Sequence, residues 1–595
     1  MSIISFSDEI PCDGAGTLIH YDYEPIIAEG WLNCDVREIV HLYEDFWLSE
    51  IDNWHRELSE KAVGLTRWWW ITPGSRLILW KTNSAFSLKP VLFTLAIIKL
   101  CEHRPSERIW IVGAPDEVVV YLSDFAIQKN TIQIEDFRPK NLNSNIAYKL
   151  SNFLKPWLKL ARWLAFSLFH SLFSFKIKRI KPARLIVDSL VLDANLIKTI
   201  GDHFFGHLLD NIPGLASEDV IWKYEDHSVN FPDLKEKLID VGRRANFKTN
   251  LFCWTDIWFA LSTSFSVNRA LTKLVDAPPV LRIGDIVISS FSHYFISNLV
   301  IGNFPLSELI LYKQCSKLIL ESGASAIIYP YEEKPTERAI LLAVQDNAPQ
   351  LKTIAFAHAA YSKGHLYIRR GKRGEPPRPD ILAVTGSMAR DQFQRFGVSL
   401  EEIIVIGSPR YHTVPLYKHS RPKLRKQILF ICGLGFEMRI FATLLVANPG
   451  LLDGYDLVIR RSYHSWVEEQ DAAEDRMRAA GVVYRCESGD LAAQIDDSDI
   501  VLFEATTAGF EAVLRGKLAI RLNLSDIITT CHFNGCDGSD VIKYCQNLKE
   551  LKSELDRTAL LTPVQYGIAL QRQRKLVERL YSPIDQAALA VLFEK

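Results

Sequence analysis

No stretch of this sequence carries the roughly 18 to 20 consecutive apolar residues that cross a bilayer as a helix, so no spanning helix is expected. The nearest approach, 160–175, is broken by Arg162 and His170. Net charge is also nearly absent: 69 Lys and Arg stand against 70 Asp and Glu. No long-range field therefore draws a polyanion, no basic stripe with interleaved aromatics marks a nucleic-acid groove, and nucleic acid is not an expected partner. The 10 cysteines have no metal-ligand spacing. Even the nearest pair, Cys531 and Cys536, lacks a second pair to complete a tetrahedral site, so buried thiols in a reducing compartment are the reading. The segment 1–11 carries Asp8 and Glu9 and has no basic region followed by an apolar one. Without that export signal a cytoplasmic location is expected. Internal repeats and long low-complexity tracts are missing. So are the Gly-x-x-x-x-Gly-Lys-Ser/Thr phosphate loop, the Gly-x-Ser-x-Gly elbow and the His-Glu-x-x-His pair.

What is present is an ordinary globular composition, 48% apolar and 23% charged, in a chain of 595 residues. That length exceeds what one hydrophobic core usually fills, so two or more domains are expected. Short β-branched runs, each followed by a turn and a helical period, read as buried parallel strands at 76–80, 109–112, 185–188, 286–289, 324–328, 353–357 and 381–384. A second series follows at 427–432, 456–460, 482–485, 500–503 and 518–522. Strands alternating with helices predict open α/β sheets with right-handed crossovers, and two such sheets are expected. The polar stretch 411–426, with Pro415, Pro422 and a cluster of Lys and Arg, reads as the break between them. Gly371, Gly374, Pro376, Pro377 and Pro379 make 369–379 a loop. The expected organisation is an N-terminal lobe at 1–182, a Rossmann-like domain at 183–412 and a second Rossmann-like domain at 413–595. Around 149–181, basic residues flank Trp157, Trp163, Phe166, Phe169 and Phe173. Two readings stand there: contact with the headgroup region of an anionic membrane, or a core helix beside a solvated linker.

The segment 499–522 reads as strand, polar turn, helix and strand. A helix start offers unpaired amides and a partial positive charge, to which Thr506 and Thr507 would add hydroxyls, making a phosphate cradle. Glu511, one turn further on, would accept hydrogen bonds from ribose hydroxyls. Gly509 would admit a ligand close to the backbone, and Gly516 would end the helix. The same residues also fit an N-capped helix with no ligand. The strand at 427–432 runs into Gly433-Leu434-Gly435, a small-residue turn before a helix. The strand at 456–460 ends in Arg460, Arg461 and, a little later, His464.

The order Thr-Thr, Glu-Ala and Gly before a hydrophobic strand resembles the donor-nucleotide segment of GT-B glycosyltransferases and their relatives. The resemblance implies two Rossmann-like domains facing a cleft, with the nucleotide sugar on the C-terminal one. In many such transferases a basic residue and His-Pro contact the nucleotide phosphate; here Ser465 replaces the Pro after His464. A closer resemblance covers about 320–412, with a weaker upstream extension at Gly201-Asp-His-Phe204. Tyr329-Pro-Tyr-Glu332, Glu337-Arg338, His358, Pro379-Asp380 and Gly407-Ser-Pro-Arg410-Tyr411 follow the order found in bacterial surface-carbohydrate biosynthesis proteins. Thr336 stands where that family shows an aromatic.

Glycosyl transfer needs a base for the acceptor hydroxyl and cations or dipoles for the departing phosphate. Glu332 is expected as that base, with Glu337 and His358 orienting it or the acceptor; each also fits a structural role. Donor binding is assigned to Gly433, Gly435, Arg460, Arg461, His464, Thr506, Thr507 and Glu511, with Arg410 either reaching donor phosphate or pairing with a carboxylate. Asp497-Ser498-Asp499 precedes a strand, at the wrong end of the sheet for a metal-binding Asp-x-Asp, so a metal-independent reaction without a cofactor is expected. The implied activity is transfer from a nucleotide sugar, among which a CMP-ulosonic acid, UDP-sugars and polyol-phosphate donors stay open, to a lipid-linked or growing surface polysaccharide such as capsule or O-antigen. The expected place is the inner face of the plasma membrane, in peripheral contact with it. A nucleotide-sugar 2-epimerase and a non-catalytic scaffold are the alternatives.

Overall fold

The computed structural model describes residues 2–7, 16–20, 31–33, 36–72, 88–105, 108–129, 132–135, 180, 182–191, 202, 204–209, 212, 214–226, 245–247, 254–302, 305–359, 361, 376–409, 411, 426–433, 435–448, 450–462, 467–504, 506–523, 541–545 and 547–593. The expected strand at 76–80, almost all of the aromatic segment 149–181, the loop at 369–375 and the stretch 412–425 lie outside them.

Among the described residues three parallel sheets form. The first contains β1 (Ser2–Ser7), β2 (Gly16–His20), β3 (Trp31–Asn33), β4 (Arg108–Val112) and β5 (Ile132–Glu135) in the order β3-β2-β4-β1-β5. Its helices are α1 (Arg37–Leu65), α2 (Lys89–His103) and α3 (Asp116–Lys129). Pro90 sits in the first turn of α2, where its missing N–H costs nothing, and apolar side chains nearly all round that helix bury it.

The second sheet begins with β6 (Leu185–Val191), β7 (Val220–Asp226) and β8 (Ala245–Phe247). The chain then returns to the first core through α4 (Trp254–Asp276), β9 (Leu281–Ile283), β10 (Ile286–Ile288) and α5 (Ser289–Gly302). Leu274, Ile283, Ile288 and Phe295 join Trp47, Trp69, Ile97 and Ile109 in one apolar cluster. Trp54 of α1 fixes this return, its indole N–H donating to Pro279 O and to Ser292 Oγ at 3.0 Å each. The run at 286–289, read as a parallel strand, is instead the second arm of an antiparallel hairpin. The two-residue turn Gly284-Asp285, with Gly284 at φ 57, reverses the chain before it.

The second sheet is completed after α6 (Leu306–Ser322) by β11 (Ala326–Pro330), α7 (Pro335–Asn347), β12 (Lys352–Ala357), β13 (Ile381–Val384), α8 (Ser387–Arg395) and β14 (Ile403–Val405), in the order β14-β13-β12-β11-β6-β7-β8. The third contains β15 (Lys426–Ile431), β16 (Tyr455–Arg460), β17 (Arg485–Glu487), β18 (Ile500–Phe503), β19 (Leu518–Leu522) and β20 (Tyr544–Cys545), in the order β17-β16-β15-β18-β19-β20. Its helices are α9 (Gly435–Ala447), α10 (Val467–Ala479), α11 (Leu491–Asp497) and α12 (Ala508–Leu514). The central strands are buried on both faces, as β18 and β19 are at every position; β18 accordingly reads as an unbroken apolar run, while β19 includes the buried Arg521, whose Nε donates to Glu504 O at 3.0 Å. The described part of the chain is thus an α/β fold in which two open parallel sheets of Rossmann-like type follow an N-terminal sheet.

The amino ends of both later sheets are tied by an aspartate. Asp380, just before β13, accepts the Thr353 N–H at 2.7 Å and its hydroxyl at 2.8 Å. Asp499, just before β18, accepts the Gln427 N–H at 2.8 Å. The triplet 497–499 therefore holds strands in register at the end away from the strands' carboxyl edges.

After the third sheet come α13 (Leu548–Ala559), α14 (Pro563–Leu580) and α15 (Gln586–Phe593). A Thr562–Gln565 capping box with Pro563 in the first turn starts α14. Its far end reaches the second sheet: Thr385 Oγ1 donates to Leu580 O at 2.8 Å and Ser408 N to Ser582 O at 2.8 Å. Leu589 and Leu592 of α15 bury beside Phe205, Phe356 and Ala383. At Gly386 the approach is so close that a Cβ would lie 2.6 Å from Leu580 O. Gly386→Ala is expected to lower unfolding stability by about 1–3 kcal/mol through overpacking against backbone. Gly64→Ala, with nothing within 4 Å, is the control, expected to be neutral or stabilising in urea unfolding.

Candidate functional site

The carboxyl end of β11 runs into Tyr331-Glu332-Glu333-Lys334 before α7 begins. Glu333 has φ 54, a left-handed conformation that costs a non-glycine residue about 1 kcal/mol or more. Its carboxylate is held from two sides: it accepts the Tyr331 hydroxyl, and Nε and Nη2 of the buried Arg338 lie 3.2 Å away. This conformation reverses the chain, so adjacent carboxylates serve different places: Glu333 turns into the core and Glu332 toward His358. Glu332 Oε1 is 3.6 Å from His358 Nε2, and its Oε2 is 2.5 Å from Lys334 Nζ. His358 follows β12, with its ring 4.6 Å from that of Phe204. Phe204 is presented by a loop closed around the buried Asp202, which accepts the Ser189 hydroxyl at 2.8 Å and the Phe204 and Phe205 amides at 2.9 and 3.0 Å.

Glu337, in the first turn of α7, accepts the Glu332 N–H with both oxygens, at 3.0 and 3.1 Å. Burial pushes its carboxyl up to about 8, with Glu332 and Glu333 adding repulsion. It therefore keeps its proton through neutral pH and acts on Glu332 as a hydrogen-bonding support rather than as a second charge. The structure thus brings Glu332, Glu337 and His358 together at one carboxyl edge.

In the third sheet, the turns after β15, β16 and β18 form one floor. A Cβ on Gly433 would lie 3.1 Å from Thr506 N, so a larger residue there would have to push the first and last of these turns apart. Ser462, after β16, donates its hydroxyl to Gly433 O at 2.9 Å and its N–H to Gln470 Oε1 at 2.9 Å. This floor differs from an open phosphate cradle. The Gly433 amide, at the turn that leads into Gly435 and α9, is taken by the buried Glu437 carboxylate at 2.8 Å. Thr506 Oγ1 accepts the Ala508 N–H at 3.2 Å, as a helix cap does. The Cys432 thiol is pushed up by burial and by the nearby Glu437 and Glu504 carboxylates, which makes it a poor nucleophile.

The remaining donor-side residues are largely engaged within the chain. Glu511, expected to meet ribose, pairs with Arg515 Nε at 3.0 Å. Arg461 is taken by Asp471 at 2.5 Å and Glu474 at 3.4 Å on α10. Arg460 bridges Gly489 O at 2.9 Å and Gln494 Oε1 at 2.5 Å, and burial holds its guanidinium below the ordinary arginine value. Gly509 does not serve ligand approach: a Cβ there would fall inside the Phe503 ring, so packing explains the glycine. Gly516, at φ 90, does end α12. His464 and Arg410 lie outside the described residues. Glu333, Glu437, Ser462 and Gln470 carry no assignment from sequence reasoning. Glu333 pairs with the nearby side chains of Tyr331 and Arg338, the other three bond backbone groups, and no local motif signals either use.

The two edges meet. Tyr411, three residues past Ser408, donates its hydroxyl to Thr507 Oγ1 at 3.4 Å, and its ring lies 4.8 Å from that of Tyr581. One continuous apolar cluster joins Tyr331, Tyr361, Met388 and Tyr581 to Phe503 and Phe510. The carboxyl edge of the second sheet thus touches that of the third through Tyr411 and Thr507, and Tyr331 and Phe503, next to the two turns, belong to the same cluster. No family model and no curated protein matches the chain. Solved structures do show likenesses. A glycosyltransferase from Rickettsia africae is 10% identical, with 69% of this chain and 96% of that one covered at TM-score 0.41. TarM is 9% identical, with 69% and 99% covered at TM-score 0.40. A UDP-GlcNAc 2-epimerase from Neisseria meningitidis, bound to UDP-GlcNAc, is 10% identical, with 69% and 97% covered at TM-score 0.39. At such scores the likenesses carry no argument for the chemistry.

Among the described residues no group of three His, Cys, Asp or Glu could hold a metal, and no helix is long and apolar enough to cross a membrane. The raised Glu337 carboxyl generates a pH dependence. Between about 4.5 and 8 the folded chain holds a proton that the unfolded chain has lost. This group's contribution is therefore full below the lower value, falls as pH rises, and is lost above the upper one. Glu337→Gln is expected to remove that slope, so denaturant titrations should show the variant gaining on the wild-type protein across this window; parallel pH profiles would refute the assignment.

Proposed function

We propose that the chain is a metal-independent GT-B glycosyltransferase that moves a sugar from a nucleotide-activated donor, a CMP-ulosonic acid among the candidates, to a lipid-linked or growing surface polysaccharide such as capsule or O-antigen. What supports this reading is that Glu332 and His358 sit together at the carboxyl edge of one sheet, that Gly433, Ser462, Thr506 and Thr507 lie at the carboxyl edge of the other, and that Tyr411 and Thr507 join the two edges. A transfer enzyme needs that arrangement: a carboxylate to take the acceptor's proton on one side, and hydroxyls and dipoles for an anionic leaving group on the other. Glu332 is the base, supported through its backbone by Glu337. His358 and Lys334, on its two oxygens, are placed to hold the carboxylate and to meet the acceptor hydroxyl. On the donor side Thr506 and Thr507, whose hydroxyls accept the Ala508 N–H and the Tyr411 O–H and keep a proton to donate, are the groups for phosphate. Closure of the two edges around both substrates would exclude water and suppress donor hydrolysis. The proposed place of work is the cytoplasmic face of the plasma membrane, where a lipid-linked acceptor is available, with 149–181 as the peripheral contact.

A thermal-shift screen against CMP, UDP, GDP and CDP tests the donor side, because a ligand bound only by the folded state raises the melting temperature. One nucleotide is expected to do so, and a flat response to all four sinks the reading. With donor and membrane-derived acceptor, Glu332→Gln should keep the nucleotide-induced shift while transfer falls by about 100-fold or more. Full transfer by that variant would remove Glu332 from the mechanism. Formation of an epimer from nucleotide sugar alone would move the chain to the 2-epimerases.

A further inference from the structure

We infer that the segment Arg67–Ile71 of the N-terminal lobe is a positioning element for Glu332, acting through Arg338 and Glu333. The inference rests on the transferase reading for the purpose of Glu332, although the contacts stand without it. The proposed catalytic and donor-binding residues all lie on the second and third sheets, yet the turn bearing Glu332 is braced from the first lobe. A short 3-10 turn, started by Thr66 accepting the Trp68 N–H at 3.3 Å, sets three consecutive tryptophans after Arg67.

This turn grips α7 at both ends. At the far end, Arg67 makes a two-point contact with Asp346, at 3.2 and 2.5 Å, and Tyr312 donates its hydroxyl to the same carboxylate at 2.7 Å. Trp68 seats the contact, its ring edge-on to Tyr312 at 5.0 Å and to Phe259 at 5.9 Å. At the near end, the Arg338 guanidinium carbon lies 5.6 Å from the centre of the Trp70 ring. Arg338 is 1% exposed and Trp70 7% exposed, so the ring face replaces water on that cation.

From there the chain of contacts is short. Arg338 holds the Glu333 carboxylate, and Glu333 carries the left-handed turn that sends Glu332 toward His358. On the same first turn of α7, Glu337 holds the Glu332 amide. A left-handed glutamate persists only while its surroundings insist on it. Removing the Trp70 ring admits water to Arg338, weakens its hold on Glu333 and lets the turn relax, so the Glu332 carboxylate leaves His358. Trp70 and Arg338 touch no reacting atom in this scheme; they are positioning residues.

The test uses the full chain and hydrogen–deuterium exchange of peptides spanning 330–337. In Trp70→Ala the amides of this turn should exchange about tenfold faster, while peptides from β18 and α12 stay at wild-type rates. Trp70→Phe, which restores an aromatic face, should return the turn toward wild type. Unchanged exchange at 330–337 in Trp70→Ala would overturn the proposal. If peptides of α1 and β4 also open, the lobe itself has come apart; Arg338→Lys then decides, since it leaves the lobe intact and should free the same amides, and protected amides there would overturn the proposal. In transfer assays Trp70→Ala should lower kcat about tenfold with donor KM unchanged; a wild-type kcat would equally count against it. A wild-type protein that transfers no sugar would refute the transferase reading alone, because the exchange result stands apart from activity.

Discussion

The return of the last helices onto the second sheet is the constraint that gives this molecule a site at all. Two open parallel sheets linked only through the chain between them would have no reason to present their carboxyl edges to each other. The hydrogen bonds from Thr385 and Ser408 to Leu580 and Ser582, with the close approach at Gly386, fix the end of α14 against those edges. The body of α14 is tied to the third sheet as well: Gln573 bonds both the N–H and the carbonyl of Ala519 in β19, at 3.0 and 2.9 Å. One helix is thus fastened to both sheets. Tyr581, immediately after it, packs against Tyr411 from one side and Phe510 from the other.

Given that frame, the chemistry divides by strand end. At the amino ends Asp380 and Asp499 spend their carboxylates on strand amides and are thereby removed from reaction chemistry. At the carboxyl ends the acids are more numerous and more varied. Glu333 pairs in the core, Glu337 keeps a proton, Glu437 closes a glycine turn, and Glu332 keeps 27% of its side chain exposed beside an imidazole. Of these four, only Glu332 combines a carboxylate, partial access and a neighbouring group able to pass a proton. Glu333 and Glu337 define the position of the backbone around it, and Glu437 that of the Gly433 turn in the third sheet.

Much of the second and third sheets was legible in the sequence, and for a physical reason. Strands covered on both faces favour apolar residues along their length, so the 354–357 end of β12, and β13 and β18, announce themselves as runs. β7 does not, because Lys223 interrupts Val-Ile-Trp. Its ammonium is buried against Asp188 on the neighbouring β6, a cross-strand pairing that no local pattern contains. The candidate base and its two companions were legible because they sit at predicted strand ends, where open sheets place their chemistry. Glu333 was not, since a left-handed turn is normally signalled by Gly or Asn. Gly509 misled for the converse reason: a glycine in a helix start suggests ligand approach, whereas the Phe503 ring that demands it comes from the strand before.

The carboxyl edge of the third sheet shows how the groups of a local motif can be used by the chain itself. Small residues do gather where β15, β16 and β18 end, with Gly433 against both Ser462 and Thr506. But a helix start satisfied by its own side chains presents fewer free amides than the bare pattern implies. With Glu437 on the Gly433 N–H and Thr506 on the Ala508 N–H, an incoming phosphate meets an acid at the first turn and an engaged amide at the other, where the Thr506 hydroxyl keeps its proton to donate. An ionised Glu437 would repel a second anion, so a phosphate would be steered away from α9 and toward Thr507, which Tyr411 bonds. That displacement carries it to the Tyr411 side of the floor, the side that faces the second sheet. The acid in the glycine turn would then do more than hold backbone: it would bias the leaving group toward the edge that carries the base.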